Sequence, residues 1–301
     1  MSSNLSLMNL FQTGAQRGNS KSKLNPKLAK YVYTVKDQIC FWDLVKVKQN
    51  IDKAVELMNK NGSKKRQILL VGTSHHVKGL VETMSKDFLN EEMPFVCNRW
   101  IGGTLTNRKT INISVNGIKK IESYEQNEKF YKNLTSNEKL NLKKTKDRST
   151  RLFGGIRTLK SAKPGCVLIF DGADNSAAMK EAEILDIPLI VITNASTIYL
   201  PNKNTIIIPC NNNSIKTVEL IAKELITGYN EGLKNFVEEI KAERKPEQSA
   251  PRSRNFNNSN SDSRNNPSSG NPRNDGNQRT NSSSNQNANS QRPARTFNKP
   301  A

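Results

Sequence analysis

An α/β fold, with a parallel sheet covered by helices on both faces, follows from two features of the sequence. Short β-branched apolar runs recur along the chain, and a polar or glycine-containing turn and then a helical pattern separate one run from the next. Continuous apolar runs suit strands buried on both faces. Strand and helix in alternation call for a parallel sheet with right-handed crossovers.

The first run is 67–72 (QILLVG), with a helical pattern before it from Asp43 to Asn59 and another after it from Val77 to Leu89. The second is 94–97 (PFVC). The third, 165–170 (GCVLIF), leads into a helix from Ser176 to Leu185. Runs at 187–193 (IPLIVIT) and 204–209 (NTIIIP) complete the sheet, and a long helix from Ile215 to Lys241 follows. Between 104 and 153 the rhythm changes: no strand candidate occurs and charge dominates. Ile111, Val115, Ile118 and Ile121 form a helical stripe, and Leu140, Leu142 and Leu152 form a weaker one, with a polar link over 125–137. Two antiparallel helices projecting from the sheet domain fit this stretch.

Charge is the strongest compositional signal. The net charge is +20, and beyond residue 245 eight Lys/Arg oppose three acids, so +15 belongs to the rest of the chain. Such an excess attracts polyanions. No acid precedes Asp37, so residues 1–36 read as a basic arm. Residues 246–301 hold 14 Asn with many Ser, Arg and Pro and almost no aliphatic side chains, a composition that cannot offset the entropy of ordering. A disordered tail is expected there. The expected organisation is therefore arm 1–36, first part of the α/β domain 37–103, hairpin 104–153, second part 154–245 and tail 246–301.

Cys40, Cys97, Cys166 and Cys210 lie far apart without a C-x-x-C pair, which argues against a zinc module and for small buried hydrophobes in a reducing compartment. No run approaches the length of a membrane span.

Ligands of an open parallel sheet gather at the carboxyl ends of its strands. The first run lacks a glycine-rich phosphate loop behind it, which leaves a nucleotide-dependent enzyme on a Rossmann-like sheet without its main signal. Adjacent His75 and His76 point in different directions and make a poor metal pair. Asp171 and Asp174 are two carboxylates without a phosphate loop, and Asp174 is placed to cap the next helix. No catalytic group, metal or cofactor is expected. The segment Arg99-Trp100-Ile101-Gly102-Gly103-Thr104-Leu105-Thr106-Asn107 differs in kind. Paired glycines permit a tight turn, Trp100 offers an apolar anchor, Arg99 supplies a fork for phosphate, and Thr104 or Thr106 is placed to start a helix.

That segment resembles the R-W-[LI]-G-G-x-L-T-N signature of the bacterial-type ribosomal protein S-two family, the second protein of the small subunit. Further agreements occur in order: Gly14 and Gly18 before Asn25-Pro26-Lys27, Asp43-Leu44, Leu70 to Thr73, and Phe153 to Ile156. Asp171, Glu181-Ala182, Ile187-Pro188, Thr193-Asn194, and Pro209 with Asn211 follow. The resemblance spans about residues 7 to 232, hairpin included. Departures also occur. Gln16, Arg17, Asn19 and Leu24 stand where the family has histidines and aromatics, Ile192 replaces the Asp of D-T-N, and Asn211-Asn212-Asn213 stands for N-D-D.

The resemblance implies a flavodoxin-like sheet with a protruding helical hairpin. It also implies a structural, non-enzymatic constituent of the small ribosomal subunit, one copy per subunit, bound to ribosomal RNA and neighbouring ribosomal proteins, among them ribosomal protein S-one. Its expected place is the cytoplasm of a bacterium, with an organelle matrix as the alternative, and no membrane. RNA contacts are expected from Arg17, Lys21, Lys23, Lys27 and Lys30, then from Arg99, Arg108 and Lys109, then from Lys143, Lys144 and Lys146 of the hairpin. A free RNA-binding regulator is the competing non-enzymatic reading.

Overall fold

The computed structural model describes residues 5–89, 91–160 and 163–243; the tail expected over 246–301 lies outside them. In chain order the elements are α1 (Leu7–Gln12), β1 (Arg17–Ser20), β2 (Val32–Lys36), β3 (Ile39–Trp42), α2 (Leu44–Ser63), β4 (Ile68–Val71), α3 (Lys78–Met84) and β5 (Phe95–Val96). The hairpin region follows with α4 (Arg108–Gln126), α5 (Glu128–Asn133) and α6 (Ser136–Phe153). The chain then returns to the sheet through β6 (Cys166–Ile169), α7 (Ser176–Ile184), β7 (Leu189–Thr193), β8 (Thr205–Pro209) and α8 (Ile215–Glu243).

The five apolar runs form one parallel sheet in the order β5-β4-β6-β7-β8. Counted among themselves these strands run 2-1-3-4-5, the flavodoxin-like order, and the direction of winding reverses between β4 and β6. All residues of β4, β6 and β7 are buried, which is why their sequence is apolar up to Thr193 at the end of β7. Within each strand the side chains alternate between two cores. Leu70, Leu168, Ile190 and Ile192 pack with Val47, Ile51 and Met58 of α2 and Val218, Leu225 and Tyr229 of α8. Leu69, Val71, Val167, Ile169 and Val191 pack with Ala178, Met179 and Ala182 of α7 and with Trp100 and Leu105.

Asp43 caps α2, accepting from Val45 N at 3.0 Å. Helices α2 and α8 approach each other through glycines. A Cβ on Gly62 would lie 2.2 Å from the Tyr229 carbonyl, and one on Gly232 would lie 2.2 Å from that of Asn59. No side chain fits at either crossing point.

Four sequence expectations are corrected. The segment 5–36 is no free arm: Leu5, Leu10, Ala15 and Leu28 are buried in the main core, and β1 and β2 flank β3 in an antiparallel sheet. Its hairpin turns on Asp37 and Gln38, both with positive φ (51° and 61°), a two-residue turn that lacks the usual Asn-Gly signal. Helix α3 stops at Met84, five residues early, because the chain turns away to seat Phe88 edge-on against Tyr229, with ring centroids 5.2 Å apart. Asp174 does not cap α7. Asn175 holds the cap position, and the Asp174 carboxylate instead accepts from Ser74 Oγ at 2.8 Å. Neither Thr104 nor Thr106 caps α4, which begins after Asn107.

In the hairpin α4 packs against α6, burying Ile111, Val115 and Ile118, while α6 buries nothing. A Thr135–Glu138 capping box starts α6. Cross-links between the two sides are ionic: Lys146 pairs with Glu125, and Arg157 grips Glu122 through both oxygens at 2.9 and 2.8 Å. The hairpin therefore holds its shape with one apolar stripe and a charged exterior.

Candidate nucleic-acid interface

The signature segment closes around a single carboxylate. Glu181 on α7 is buried, and it accepts from Trp100 Nε1 at 2.9 Å and Gly103 N at 2.8 Å on one oxygen. Its other oxygen accepts from Leu105 N at 3.0 Å and from both Thr106 N and Thr106 Oγ1 at 3.2 Å. Burial pushes this carboxyl up, but the donors outweigh it and hold it below the usual carboxylate range. Gly103 sits at φ +87°, the turn that aims its amide inward. Trp100 is thus more than an apolar anchor, since its ring N–H is one of the five donors. Nothing in the sequence joins Glu181 to the signature, since 80 residues lie between Trp100 and Glu181.

At the switch between β4 and β6 the loop ends bond to one another. The Ser74 hydroxyl lies within hydrogen-bonding reach of both Asp171 and Asp174. Asp171 also accepts from Ala173 N and Asn212 Nδ2, each at 3.0 Å. Asn175 Nδ2 donates to the Asp171 carbonyl at 2.8 Å, and Thr73 Oγ1 lies 3.1 Å from Asn175 Oδ1. His76 Nε2 pairs with the Asn212 carbonyl at 3.0 Å. A phosphate placed in this crevice would face two carboxylates rather than a cradle of amides. Among the described residues, no three His, Cys, Asp or Glu side chains gather as a metal site. The four cysteines are buried thiols, and burial with a Glu82 contact pushes Cys97 up to about 12.

The N-terminal segment is clamped onto the loop after β7. Asn25 Nδ2 donates to the carbonyls of Thr197 at 2.7 Å and Ile198 at 3.0 Å, and Asn194 Nδ2 to Asn19 Oδ1 at 3.0 Å. Beside this clamp Arg17, Asn19, Asn211 and Asn213 line a cleft of about 390 Å³ that no carboxylate lines. Positions scattered along the sequence thus meet on one acid-free wall.

A model of the family described as ribosomal protein S2 matches residues 10–232. The chain belongs to the ribosomal protein S2 family. It is also 30% identical over 241 residues to the small ribosomal subunit protein uS2 of Petrotoga mobilis, covering 78% of this chain and 80% of that one. The S2 match spans the clamp, the Glu181 cage, the hairpin and most of α8.

The cations expected to meet RNA fall into two groups on this S2 scaffold. Arg17, Lys21, Lys23, Lys30, Arg99, Lys109, Lys143 and Lys144 are exposed and hold no carbonyl or carboxylate among the described residues, whereas Lys27 is exposed but engaged. Lys27, Arg108 and Lys146 already hold protein groups. The Lys27 ammonium donates to the Leu200 carbonyl at 2.7 Å and Asn202 Oδ1 at 2.8 Å. Arg108 is half-buried, with one nitrogen donating to the carbonyls of Leu159 at 2.8 Å and Ile156 at 3.3 Å, so it ties the root of α4 to the chain leaving α6. Lys146 serves the Glu125 pair. Charge and position in the sequence were legible; only coordinates separate a solvent-facing lysine from one holding a carbonyl.

Proposed function

We propose that this chain anchors ribosomal RNA through the exposed cations of its N-terminal segment, signature and hairpin, as a structural constituent of the small ribosomal subunit that supports translation. The observation that carries this reading is the family match over 10–232. Its physical support is the +15 excess on residues 1–245, with nine of the eleven expected contact residues open to solvent. Phosphate contacts of this kind fix position and orientation, and A-form RNA is recognised largely by shape. In this assignment Arg17, Lys21, Lys23 and Lys30 form the main contact, with Arg99 and Lys109, then Lys143 and Lys144, as secondary ones. Lys27, Arg108 and Lys146 shape the surfaces that carry them. The Arg-bearing tail adds diffuse attraction.

A protein neighbour is assigned to a second surface. Phe11, Tyr33 and Val45 are 58%, 78% and 54% exposed, and together with Phe41 and Trp42 they line an apolar groove of about 360 Å³. Patches of this kind mark protein contacts, and ribosomal protein S-one is the neighbour we assign to it. The cytoplasm of a bacterium is the compartment proposed.

The deciding experiment is mass spectrometry across a sucrose gradient of native lysate. Co-migration with small-subunit RNA, and release by high salt, is the expected result. A protein that stays at the top of the gradient would overturn the reading and favour a free RNA-binding regulator.

A further inference from the structure

A second cleft lies at the other edge of the sheet, beneath the amino ends of β4, β6 and β7. It encloses about 620 Å³, and Lys65, Arg66, Lys160 and Lys163 line it with a single acid, Asp186. None of these cations belongs to the N-terminal segment, the signature or the hairpin. Lys160 pairs with Glu91 at 2.6 Å, just outside the cleft. Asp186 accepts from Asn204 Nδ2 at 2.7 Å. Lys65 and Arg66 are exposed, and no hydrogen bond or ion pair holds either side chain among the described residues.

The backbone there is unusual. Lys65 follows the last turn of α2 with φ +50°, the left-handed position that glycine ordinarily fills at a helix end. The turn is well bonded: Lys65 N donates to the Gly62 carbonyl at 2.9 Å, and Arg66 N to that of Asn61 at 3.0 Å. The buried Tyr229 donates its hydroxyl to the Arg66 carbonyl at 3.0 Å. The chain thus accepts backbone strain at a firmly held position and keeps a cation where glycine would relieve it. One wall of the cleft is also continuous with the root of the hairpin. Gln67 Nε2 donates to the Thr158 carbonyl and Gln67 Oε1 accepts from Lys160 N, at 2.9 and 2.8 Å.

We infer that this cleft at the amino edge of the sheet is a phosphate-backbone contact for RNA, with Lys65 and Arg66 as the contacting cations. It rests on the ribosomal reading and adds a site to it. The simpler role for these cations is to complement the carboxyl end of α2. Replacing Lys65 with glycine separates the two, because glycine removes the cation while fitting the backbone better.

The experiment uses full-length protein, a small-subunit ribosomal RNA transcript and subunits lacking this protein. Lys65→Gly and Arg66→Gln, singly and together, are titrated at several salt concentrations beside thermal melts. The expected result is a loss of affinity of about five- to tenfold for each, a salt slope shallower by about 1 for each, and a Tm for Lys65→Gly at or above the wild type. Unchanged affinity with a raised Tm would overturn the inference and leave a strained helix cap. Unchanged binding to transcript with weakened binding to subunits would assign the cleft to an acidic protein and overturn it equally. If the wild type binds neither, the ribosomal reading itself fails, so the two failures are distinct.

Discussion

At the carboxyl ends of β4 and β6, Ser74, Asp171, Asp174, Asn175 and Asn212 hydrogen-bond one another, whereas at the amino ends of the same strands Lys65 and Arg66 stand open to solvent. A flavodoxin-like sheet ordinarily binds its ligand at the first edge. Here that edge carries two carboxylates and has joined the structure, as has the neighbouring Glu181 cage. The difference teaches that a fold's habitual ligand edge is only an opportunity: the polar groups left unbonded, and their charge, decide where a polyanion can lie.

The sharpest way to break that comparison is to open the cage. Glu181→Ala would leave five donors facing a buried void, a loss of roughly 3–5 kcal/mol that lowers Tm by about 10 °C. RNA affinity of the folded fraction should hold, and a selective loss of affinity with unchanged Tm would show that the cage itself contacts RNA. Glu181→Gln adds a pH test. The folded carboxyl lies below its unfolded value of 4.5, so its contribution is fully present above that value and is lost as pH falls through the lower folded pKa. Wild-type Tm should therefore fall more steeply below about pH 4.5 than that of Glu181→Gln. Parallel curves would remove Glu181 from the account.

The amino end has its own support. Gly62→Ala places a methyl 2.2 Å from the Tyr229 carbonyl, which forces α2 from α8 at the turn that presents Lys65. The expected cost is about 3 kcal/mol, read as a lower denaturant midpoint with unchanged slope. A neutral result would mean that the helices part easily and that Lys65 is not held rigidly.

How much of this was legible in the sequence follows from what each signal measures. The five parallel strands announced themselves because burial on both faces leaves Thr193 as the single polar position in β4, β6 and β7. The hairpin stripe at Ile111, Val115 and Ile118 was legible for the same reason on one face. Strands β1 to β3 were not, because β2 has no buried position and its turn uses Asp37-Gln38. The Glu181 cage escaped because main-chain amides, which every residue but proline carries, supply three of its five bonds. Lysine sequence positions are visible, but the carbonyl that Lys27 holds is 173 residues away.

Two smaller predictions test the cations against that limit. Charge reversal at Lys21 and Lys23 should weaken subunit association at least about tenfold and flatten its salt dependence by about 2, with little change in Tm. An unchanged association across salt concentrations would remove the N-terminal segment from the interface. The smallest effect is expected from Lys143→Gln with Lys144→Gln. Both side chains lie exposed on α6, which buries nothing, so stability should stay within about 0.5 kcal/mol of wild type. Affinity should fall by a few-fold. Lys146→Gln is the informative partner, because it breaks the Glu125 pair between the hairpin's two sides. If RNA reads the hairpin through charge alone, Lys146→Gln should match either neighbour. If the cross-link sets the hairpin's shape, Lys146→Gln should lose more affinity than both together while shifting the salt slope less.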